Sequence, residues 1–432
     1  MVNNIRKIIL QIIIMAAVFL AAAGAMAGLL TLSALIPRER IHENSLRSAE
    51  YLCSGEQFAT VIEDVEASRL DRYADSILLN IAYCYESRYP LRSVLLSAYY
   101  FTPYHEENEN FLAAVEHDYA PNQQYMRYWH GSNAIVRPLL TVFDIRQIYM
   151  LNAAILFILT AALIAMLLRR KKKQAAIALL AGLIAGSSFF VPLSLEYTWT
   201  FMVMLVSSMV ALRLSGGDDH PYALPVLFML SGMVTSYLDF LTTETLSLTL
   251  PLIILIWLSR KDSLGRTRLD SALFILKPAV SWGIGYVGMW ALKWIITQAV
   301  FKEDVAPYVS AHISERLGGD MGVSLPSFLF GALTRNIGCL FPAGYGVAGA
   351  IAGFLLVLAA AYAGYVYHVK SFDTRRILLL AVTALIPYVR YLVLHNHSYI
   401  HFFFTYRAQV ATIMAIVLII SELTGVSGDG SL

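Results

Sequence analysis

Residues 8–36, IILQIIIMAAVFLAAAGAMAGLLTLSALI, decide the fold class of this chain. The run contains no charged residue and follows directly on Arg6 and Lys7. As a helix rising about 1.5 Å per residue, it is long enough to cross a hydrocarbon core of about 30 Å. Its small residues 25–28 resemble a signal-peptidase site, but the run is longer than the apolar part of a typical signal peptide. We therefore predict an uncleaved first transmembrane helix.

The composition extends this conclusion to the whole chain. Of the 432 residues, 58% are hydrophobic and 14% are charged, whereas a soluble domain carries about 25% charged residues. A formal net charge of +2 gives no electrostatic basis for binding nucleic acid. The sequence predicts an all-α, polytopic bundle of about ten transmembrane helices. We place these helices at residues 8–36, 148–168, 175–194, 199–214, 222–239, 244–259, 271–300, 345–367, 376–394 and 401–421.

Lysines and arginines of the connecting segments determine the predicted orientation. The densest block, RRKKK at 169–173, follows the second predicted helix. Basic residues outnumber acidic ones on that side of the membrane, and acidic residues outnumber basic ones on the other, so both termini are predicted to be cytoplasmic in a multi-pass cell-membrane protein. The predicted divisions are a first helix at 1–36, a large extracytoplasmic loop at 37–147, a bundle at 148–421 with a second outer segment at 301–344, and a cytoplasmic tail at 422–432.

The loop 37–147 is predicted to be mostly helical. Apolar residues recur at helical spacing in 45–66 and in 74–85. Aromatic residues elsewhere in the loop suit the headgroup boundary, so we expect its helices to lie on the membrane surface. Cys53 and Cys84 share this loop and could form a disulfide there.

The segment HNHSYIH, residues 395–401, follows Arg390 and precedes Arg407 at the predicted outer junction of the last two helices. A guanidinium at membrane depth is costly unless it meets an anion, and its planar fork suits phosphate. Arg390 and Arg407 are therefore predicted to bind the phosphate of a polyprenyl carrier. Alternatively, Arg390 extends to the membrane surface and Arg407 pairs with a carboxylate of the bundle.

The histidines of this segment allow two roles. His397 and His401 are four residues apart, which places both rings on one face of a helix, and His395 is close enough to join them. Such spacing occurs in metal sites, but the segment contains no carboxylate. Hydrogen bonding to a substrate is the other interpretation. We predict no cofactor, with a divalent metal as the alternative.

Asp71 and Asp75 of the large loop are candidates for a catalytic base. They are four residues apart, so they would share a helix face, and apolar residues 77–79 follow Asp75. A carboxylate that faces a membrane-proximal cleft has a raised pKa and can take a proton from an acceptor hydroxyl. The alternative is solvated surface, as expected for most acidic residues of this loop.

The segment YMRYWHG, residues 125–131, combines aromatic and basic side chains. Trp129 and the tyrosines can stack on a sugar ring. Arg127 and His130, together with Arg137 a few residues later, can bind hydroxyls or phosphate. An aromatic belt at the membrane surface is the competing interpretation.

Three acidic residues, Glu196, Asp239 and Glu244, fall close to membrane depth in short outer turns. Carboxylates at such depth are costly and are functional candidates by default, so we assign all three to substrate binding. Lys293 in the seventh predicted helix offers Glu244 a partner, which makes a structural ion pair the alternative.

This layout resembles the GT-C superfamily of membrane glycosyltransferases, and it is similar to polytopic membrane proteins of Gram-positive bacteria. The shared features are a first helix, a large outer loop with amphipathic helices and an aspartate, and many further helices with polar outer ends. The resemblance implies transfer of a sugar from a polyprenyl-phosphate donor in the membrane to a cell-surface acceptor, such as a wall polymer, a lipid or a protein. Asp75 or Asp71 would activate the acceptor. Arg390 and Arg407 would hold the departing phosphate, and the histidines and residues 125–130 would shape the sugar pocket.

Two other classes of function fit the same sequence. A transporter or flippase for an anionic lipid or solute would use intramembrane arginines and broken helices, although no internal repeat supports it. A non-catalytic membrane scaffold would leave the polar clusters far apart. A transferase instead requires a base, an anion-binding group and a sugar platform in one cavity.

Overall fold

The computed structural model describes residues 2–215, 222–259, 264–265, 267–302, 307, 310, 324–366 and 372–424. These residues form helices and turns with no β-strand among them. The prediction of an all-α chain is confirmed.

Helix α1 (Val2–Ala34) contains the apolar run that opened the sequence, and a group of short helices follows it. These loop helices are α2 (His42–Cys53), α3 (Arg72–Cys84), α4 (Pro90–Leu96), α5 (Glu107–Glu116) and α6 (Asn133–Leu139). The segment 45–66 is helical only as far as Cys53, because the following Ser54-Gly55 pair disfavours helix. Segment 74–85 matches α3 closely.

The rest of the described chain forms the bundle. Its helices are α7 (Ile145–Arg169), α8 (Lys173–Ala185), α9 (Thr198–Leu214), α10 (Ala223–Leu238), α11 (Leu246–Leu258), α12 (Arg268–Phe301), α13 (Leu325–Gly338), α14 (Gly346–Val366), α15 (Thr374–Val393), α16 (His395–Ile400), α17 (Phe402–Thr405) and α18 (Val410–Leu423). A 3-10 turn at Tyr406–Gln409 joins α17 to α18.

Five helices in the described part of the chain are long and apolar enough to cross a membrane. They are Arg6–Ala34, Ile145–Arg169, Arg268–Phe301, Thr374–Val393 and Phe402–Leu423, the last including the 3-10 turn. The helices α8 to α11 are apolar but shorter. A helix of 13 residues such as α8 extends about 20 Å, whereas a hydrocarbon core is about 30 Å thick. Helix α8 ends before Ser187, whose backbone is left-handed (φ 48°).

Among the five long spans, the buried fraction increases from the first to the last. Only 6% of the most apolar part of Arg6–Ala34 is buried in the protein, against 72% for Phe402–Leu423. Helices α10 and α12 are in close contact through Gly232 and Gly285. A Cβ atom added to Gly232 would lie 2.1 Å from the Trp282 carbonyl oxygen, and one added to Gly285 would lie 2.0 Å from the Met229 carbonyl oxygen. Small residues of this kind allow helices in lipid to approach closely.

The loop helices pack on the bundle through a shared core and several buried polar contacts. The indole Nε1 of Trp129 donates to the Met289 carbonyl of α12 at 2.7 Å. The cysteines predicted as a possible disulfide are free: Cys53 is half-buried, and Cys84 is buried with its Sγ 3.3 Å from Asn80 Oδ1. The loop is therefore held by packing and hydrogen bonds.

Candidate functional site

A cavity of about 410 Å³ lies between the loop helices and the segments that connect the bundle helices. Its volume is within the range of small-molecule sites, about 300–1,000 Å³. Four of the clusters singled out in the sequence contribute to its wall. The lining residues are Asp71, Tyr73, Ala74, Ile77, Leu78, Tyr99, Gln123, Gln124, Tyr125, Arg127, Tyr128, His130, Glu196, Phe240, Asn396, His397, Ile400, His401 and Phe404.

Two acidic side chains in this wall, Asp71 and Glu196, are hydrogen-bonded to each other. Asp71 caps α3, where its Oδ1 accepts from the Ala74 backbone at 3.0 Å. Burial raises the pKa of Asp71 to about 6, against the lowering effect of the Ala74 N–H and Glu196. Burial, and then the charge of Asp71, raises the pKa of Glu196 well above its usual range. One proton is thus held by the pair, mainly on Glu196.

Asp75, the other predicted base, is not among the residues lining the cavity. Its Oδ2 accepts from the Tyr149 hydroxyl, and its Oδ1 accepts from the Leu195 backbone at 2.8 Å and from the Ser194 hydroxyl at 3.4 Å. The side chain is 1% exposed. In this arrangement Asp75, predicted as a base, instead joins α3 to α7 and to the turn before α9.

His397 and His401 both line the cavity, and their ring centroids are 4.6 Å apart. The His401 ring stacks on Phe404 at 5.2 Å. His395, in contrast, contacts Phe328 and is not part of the lining. No group of three potential metal ligands occurs among the residues that the structure describes. The predicted i, i+4 pair is thus present, without His395.

Arg390 is enclosed by protein groups and does not line the cavity. Its Nε donates to Glu244 Oε1 at 2.8 Å, and its Nη1 donates to the Ser398 hydroxyl at 2.9 Å. Its Nη2 lies 3.3 Å from His397 Nδ1. Because a guanidinium can only donate, His397 accepts through Nδ1 and keeps its proton on Nε2. Arg390, predicted to bind phosphate, and Glu244, predicted to bind substrate, thus form an ion pair beside His397 in this arrangement.

Arg407 is fully buried and also lies outside the cavity wall. Its Nη2 donates to the Ala67 carbonyl at 2.9 Å, and its Nη1 donates to the Phe403 carbonyl at 3.1 Å. The rings of Tyr197 and Tyr406 lie 5.1 and 4.9 Å from its Cζ. Within the described residues, no carboxylate lies at salt-bridge distance. Backbone carbonyls and aromatic faces surround its charge in this arrangement, in place of the carboxylate of the alternative interpretation.

Trp129 and Arg137, both predicted to bind substrate, are buried in the core and do not line the cavity. Trp129 packs against Tyr237, with ring centroids 6.1 Å apart. Arg137 Nη2 donates to the carbonyls of Ile36 at 2.7 Å and Tyr85 at 3.2 Å, which joins α6 to the ends of α1 and α3.

The Asp239 carboxylate is also hydrogen-bonded within the protein. Its Oδ1 accepts from the hydroxyls of Thr200, at 2.8 Å, and Thr242, and its Oδ2 accepts from the Thr242 backbone at 3.0 Å. The suggested pairing of Lys293 with Glu244 is wrong, because Lys293 Nζ donates to the Tyr128 carbonyl and to the Ser97 hydroxyl. Lys293 therefore supports the 125–131 segment.

Several lining residues were not singled out as site candidates from the sequence. Gln123 and Gln124 directly precede the aromatic segment, and Phe240 follows Asp239. An isolated antiparallel backbone bridge between Tyr99 and Gln123 brings these two loop segments together. Neutral amides and single aromatic rings carry little signal in a sequence, so only the neighbouring charged motifs could have indicated them.

Comparison of the chain with protein-family models, with curated proteins and with solved structures found no match. Function must therefore be inferred from the chemistry of the cavity.

Proposed function

We propose that this protein is a membrane glycosyltransferase of GT-C type that transfers a sugar from a polyprenyl-phosphate donor to a cell-surface acceptor. The observation that carries the proposal is the hydrogen-bonded pair of Asp71 and Glu196 in a cavity that also contains His397, His401 and Arg127. A base, hydrogen-bond donors for an anion and aromatic faces thus share one wall, as a transferase requires.

The proposal includes a topology. The shorter apolar helices α8 to α11, together with α14, would add five crossings to the five long candidates, helped by local thinning of the bilayer. Both termini would be cytoplasmic, and the loop helices and the cavity would face outward. A donor carried by a membrane lipid and an acceptor at the cell surface would then reach the cavity from the same side.

In the proposed reaction, Asp71 is the general base. The acceptor hydroxyl attacks the anomeric carbon of the donor, and its proton passes to the Asp71 carboxylate. The new glycosidic bond forms while the bond between the anomeric carbon and the phosphate oxygen breaks, and the electron pair leaves with the polyprenyl phosphate. Glu196 keeps its proton and donates to Asp71, which holds the base in position.

Arg127 and the two histidines are suited to the departing phosphate. Arg127 lines the cavity, is 8% exposed, and has its Cζ 5.9 Å from the rings of Tyr125 and Tyr128. His397 lines the cavity and, with its Nδ1 accepting from Arg390, carries its proton on Nε2. Planar and charge-assisted donors of this kind bind phosphate oxygens well. Arg127 thus takes the role first expected of Arg390 and Arg407.

A transporter or flippase for an anionic lipid is the second candidate. One observation favours it: the span Phe402–Leu423 is interrupted by the 3-10 turn Tyr406–Gln409, beside the buried Arg407. Interrupted helices line the substrate path in many transporters. The cavity, with its carboxyl pair, favours the transferase.

The proposal is tested by replacing the base. Asp71→Asn should lower the rate of transfer by about 10²- to 10⁴-fold, the usual contribution of general-base catalysis. The purified protein in proteoliposomes would be supplied with radiolabelled polyprenyl-phosphate hexoses and pentoses and with cell-envelope acceptor. A strain that lacks the protein should accumulate the lipid-linked sugar.

Asp64→Asn is the matched control, because Asp64 is exposed in the same loop and asparagine tolerates its left-handed backbone (φ 59°). This variant should restore the deletion strain fully. Full restoration by a folded Asp71→Asn variant would contradict the proposal. Movement of intact donor across the bilayer, without release of polyprenyl phosphate, would instead establish the transporter.

A further inference from the structure

His130 occupies the cavity wall in a strained backbone conformation. Its φ is +53°, in the left-handed region that non-glycine residues rarely adopt. The next residue explains how the strain is held. The Gly131 N–H donates to the Tyr237 carbonyl at 2.9 Å, and a Cβ on Gly131 would lie 2.5 Å from the Tyr237 ring and carbonyl. The loop is thus fixed against α10, and such strain is often kept at functional sites.

The imidazole of His130 is buried, and its two ring nitrogens are poorly hydrogen-bonded. The residue is 1% exposed, and neither Nδ1 nor Nε2 makes a well-aligned hydrogen bond among the described residues, although the Tyr128 carbonyl is nearby. The hydroxyl of the adjacent Tyr128 is likewise buried and unpartnered there. Leaving such groups unpaired costs free energy, so a ligand that pairs with them would gain from it. Both side chains line the cavity.

The charge state of His130 restricts what it can bind. Burial, and then the nearby Lys293 ammonium, lower its pKa well below the usual range. The Tyr128 carbonyl, which favours the charged form, already accepts from Lys293. The ring is therefore neutral at physiological pH, with one donor and one acceptor nitrogen. A hydroxyl, which also donates and accepts, matches this ring better than an anion does.

Aromatic rings surround His130. The ring centroids of Tyr125, Phe240 and Tyr128 lie 5.0, 5.1 and 6.1 Å from that of the imidazole. Aromatic faces pack on the C–H face of a pyranose while its hydroxyls point to polar groups at the edge. The cluster of His130, Tyr125, Tyr128 and Phe240 therefore has the composition of a carbohydrate subsite, separate from Asp71 on α3.

We propose that this cluster is the sugar-specificity subsite, where the His130 imidazole reads hydroxyls of an uncharged pyranose. The inference rests on the proposed function for the reaction, but sugar binding can be measured without it. Because a site built to hydrogen-bond a hydroxyl rejects the analogue that lacks it, one hydroxyl position of the sugar should dominate affinity. An anionic sugar should bind no better than its neutral counterpart.

The test uses the full-length protein in nanodiscs and two sets of probes. The first set is methyl pyranosides of glucose, galactose and mannose with their monodeoxy forms, followed by saturation-transfer NMR. The second set is the corresponding polyprenyl-phosphate sugars, followed by turnover. His130→Gly removes the ring and suits the positive φ, and His130→Asn also suits it while keeping a donor and an acceptor. The exposed His117→Gly is the control.

We expect His130→Gly to weaken binding of the preferred pyranoside at least about tenfold, the loss of a well-made hydrogen bond, and His130→Asn to retain part of it. The preference for the hydroxyl form over the deoxy form should disappear in the Gly variant. Unchanged affinity in a folded His130→Gly protein would overturn the subsite. Sugar binding that depends on His130 without any turnover would support the subsite and reject the transferase. Normal turnover in the His130→Gly variant would support the transferase and reject the subsite.

Discussion

At the scale of single residues, the carboxyl of Asp71 is the group on which the proposed chemistry depends. It lies at the N-terminus of α3, where the helix dipole and the Ala74 N–H favour its charged form while burial opposes it. The result is a carboxylate that is available at neutral pH and is still basic enough to accept a proton. Glu196 contributes by holding the shared proton.

This balance predicts a pH profile for transfer. The pKa of Asp71 is raised to about 6, so the carboxylate form needed for proton abstraction is lost as the pH falls through that value. The rate should fall about tenfold per pH unit on the acid side. Initial rates between pH 4.5 and 8 would measure the profile.

Two variants of Glu196 test the cause of the profile. Glu196→Gln keeps a donor for Asp71 and should leave the acid limb in place. Glu196→Leu removes the hydrogen bond that lowers the pKa of Asp71, so its acid limb should move to higher pH. A limb that moves identically in both variants would argue against the shared hydrogen bond.

Asp75 leads to a prediction about stability. Burial raises its pKa to about 8 despite the hydrogen bond from Tyr149. Because the pKa is higher in the folded protein than in the unfolded chain, its stabilising contribution is complete below the usual aspartate pKa and is lost as the pH rises through about 8. Each unit of such a shift corresponds to about 1.4 kcal/mol. Asp75→Asn should therefore melt at a higher temperature than the wild type at pH 9.

The same variant should differ little from the wild type at pH 5, since an amide can keep the contacts with Tyr149, Ser194 and Leu195. Thermal unfolding in detergent at the two pH values measures the difference, with Asp64→Asn as a control that changes neither. A lower melting temperature for Asp75→Asn at pH 9 would contradict the assignment of Asp75 to a buried, mostly neutral carboxyl.

At the scale of elements, the pair of Arg390 and Glu244 joins α15 to the turn before α11, and Arg390 also contacts Ser398 and His397 of α16. Both side chains of the pair are buried. Removing one member of a buried pair typically costs about 3–5 kcal/mol, because the remaining charge has no partner. Arg390→Met should therefore reduce the yield of monodisperse protein strongly, and adding Glu244→Gln should recover part of it.

The exposed pair of Arg47 and Glu43 on α2 provides the comparison. Arg47→Met should leave the yield unchanged, since exposed pairs contribute little. The two Arg390 variants would be compared by size-exclusion chromatography at equal expression. Wild-type yield of the single Arg390→Met variant would show that the ion pair does not hold these elements together.

At the scale of the whole molecule, the topology gives the broadest prediction. In a variant with Cys53→Ser, a cysteine at Tyr104, which is 89% exposed in the loop, should react with an impermeant thiol reagent added outside. A cysteine at the exposed Arg169 should react only after the membrane is opened. The native Cys84 and Cys339 are buried and serve as the background. The reverse pattern would invert the proposed orientation.

The sequence predicted the long helices well, because a run such as α7 has no alternative to a helix in lipid. It predicted which segments meet at the cavity, but it assigned the arginines poorly. Composition could not distinguish Arg390 and Arg407, whose charges are met inside the protein, from Arg127, which lines the cavity. The choice between Asp71 and Asp75 depends on contacts with Tyr149 and Glu196, which are distant in the sequence.

The hydrogen bond from Arg407 to Ala67 joins residues 340 positions apart in the chain. During translation, the loop helices leave the ribosome long before α17 and α18 have been made. His397 and His401 are added to the wall beside Asp71 only then. A nascent chain therefore carries only part of the cavity wall through most of its synthesis, so the activity proposed for this cavity would begin only after the last helix has been made.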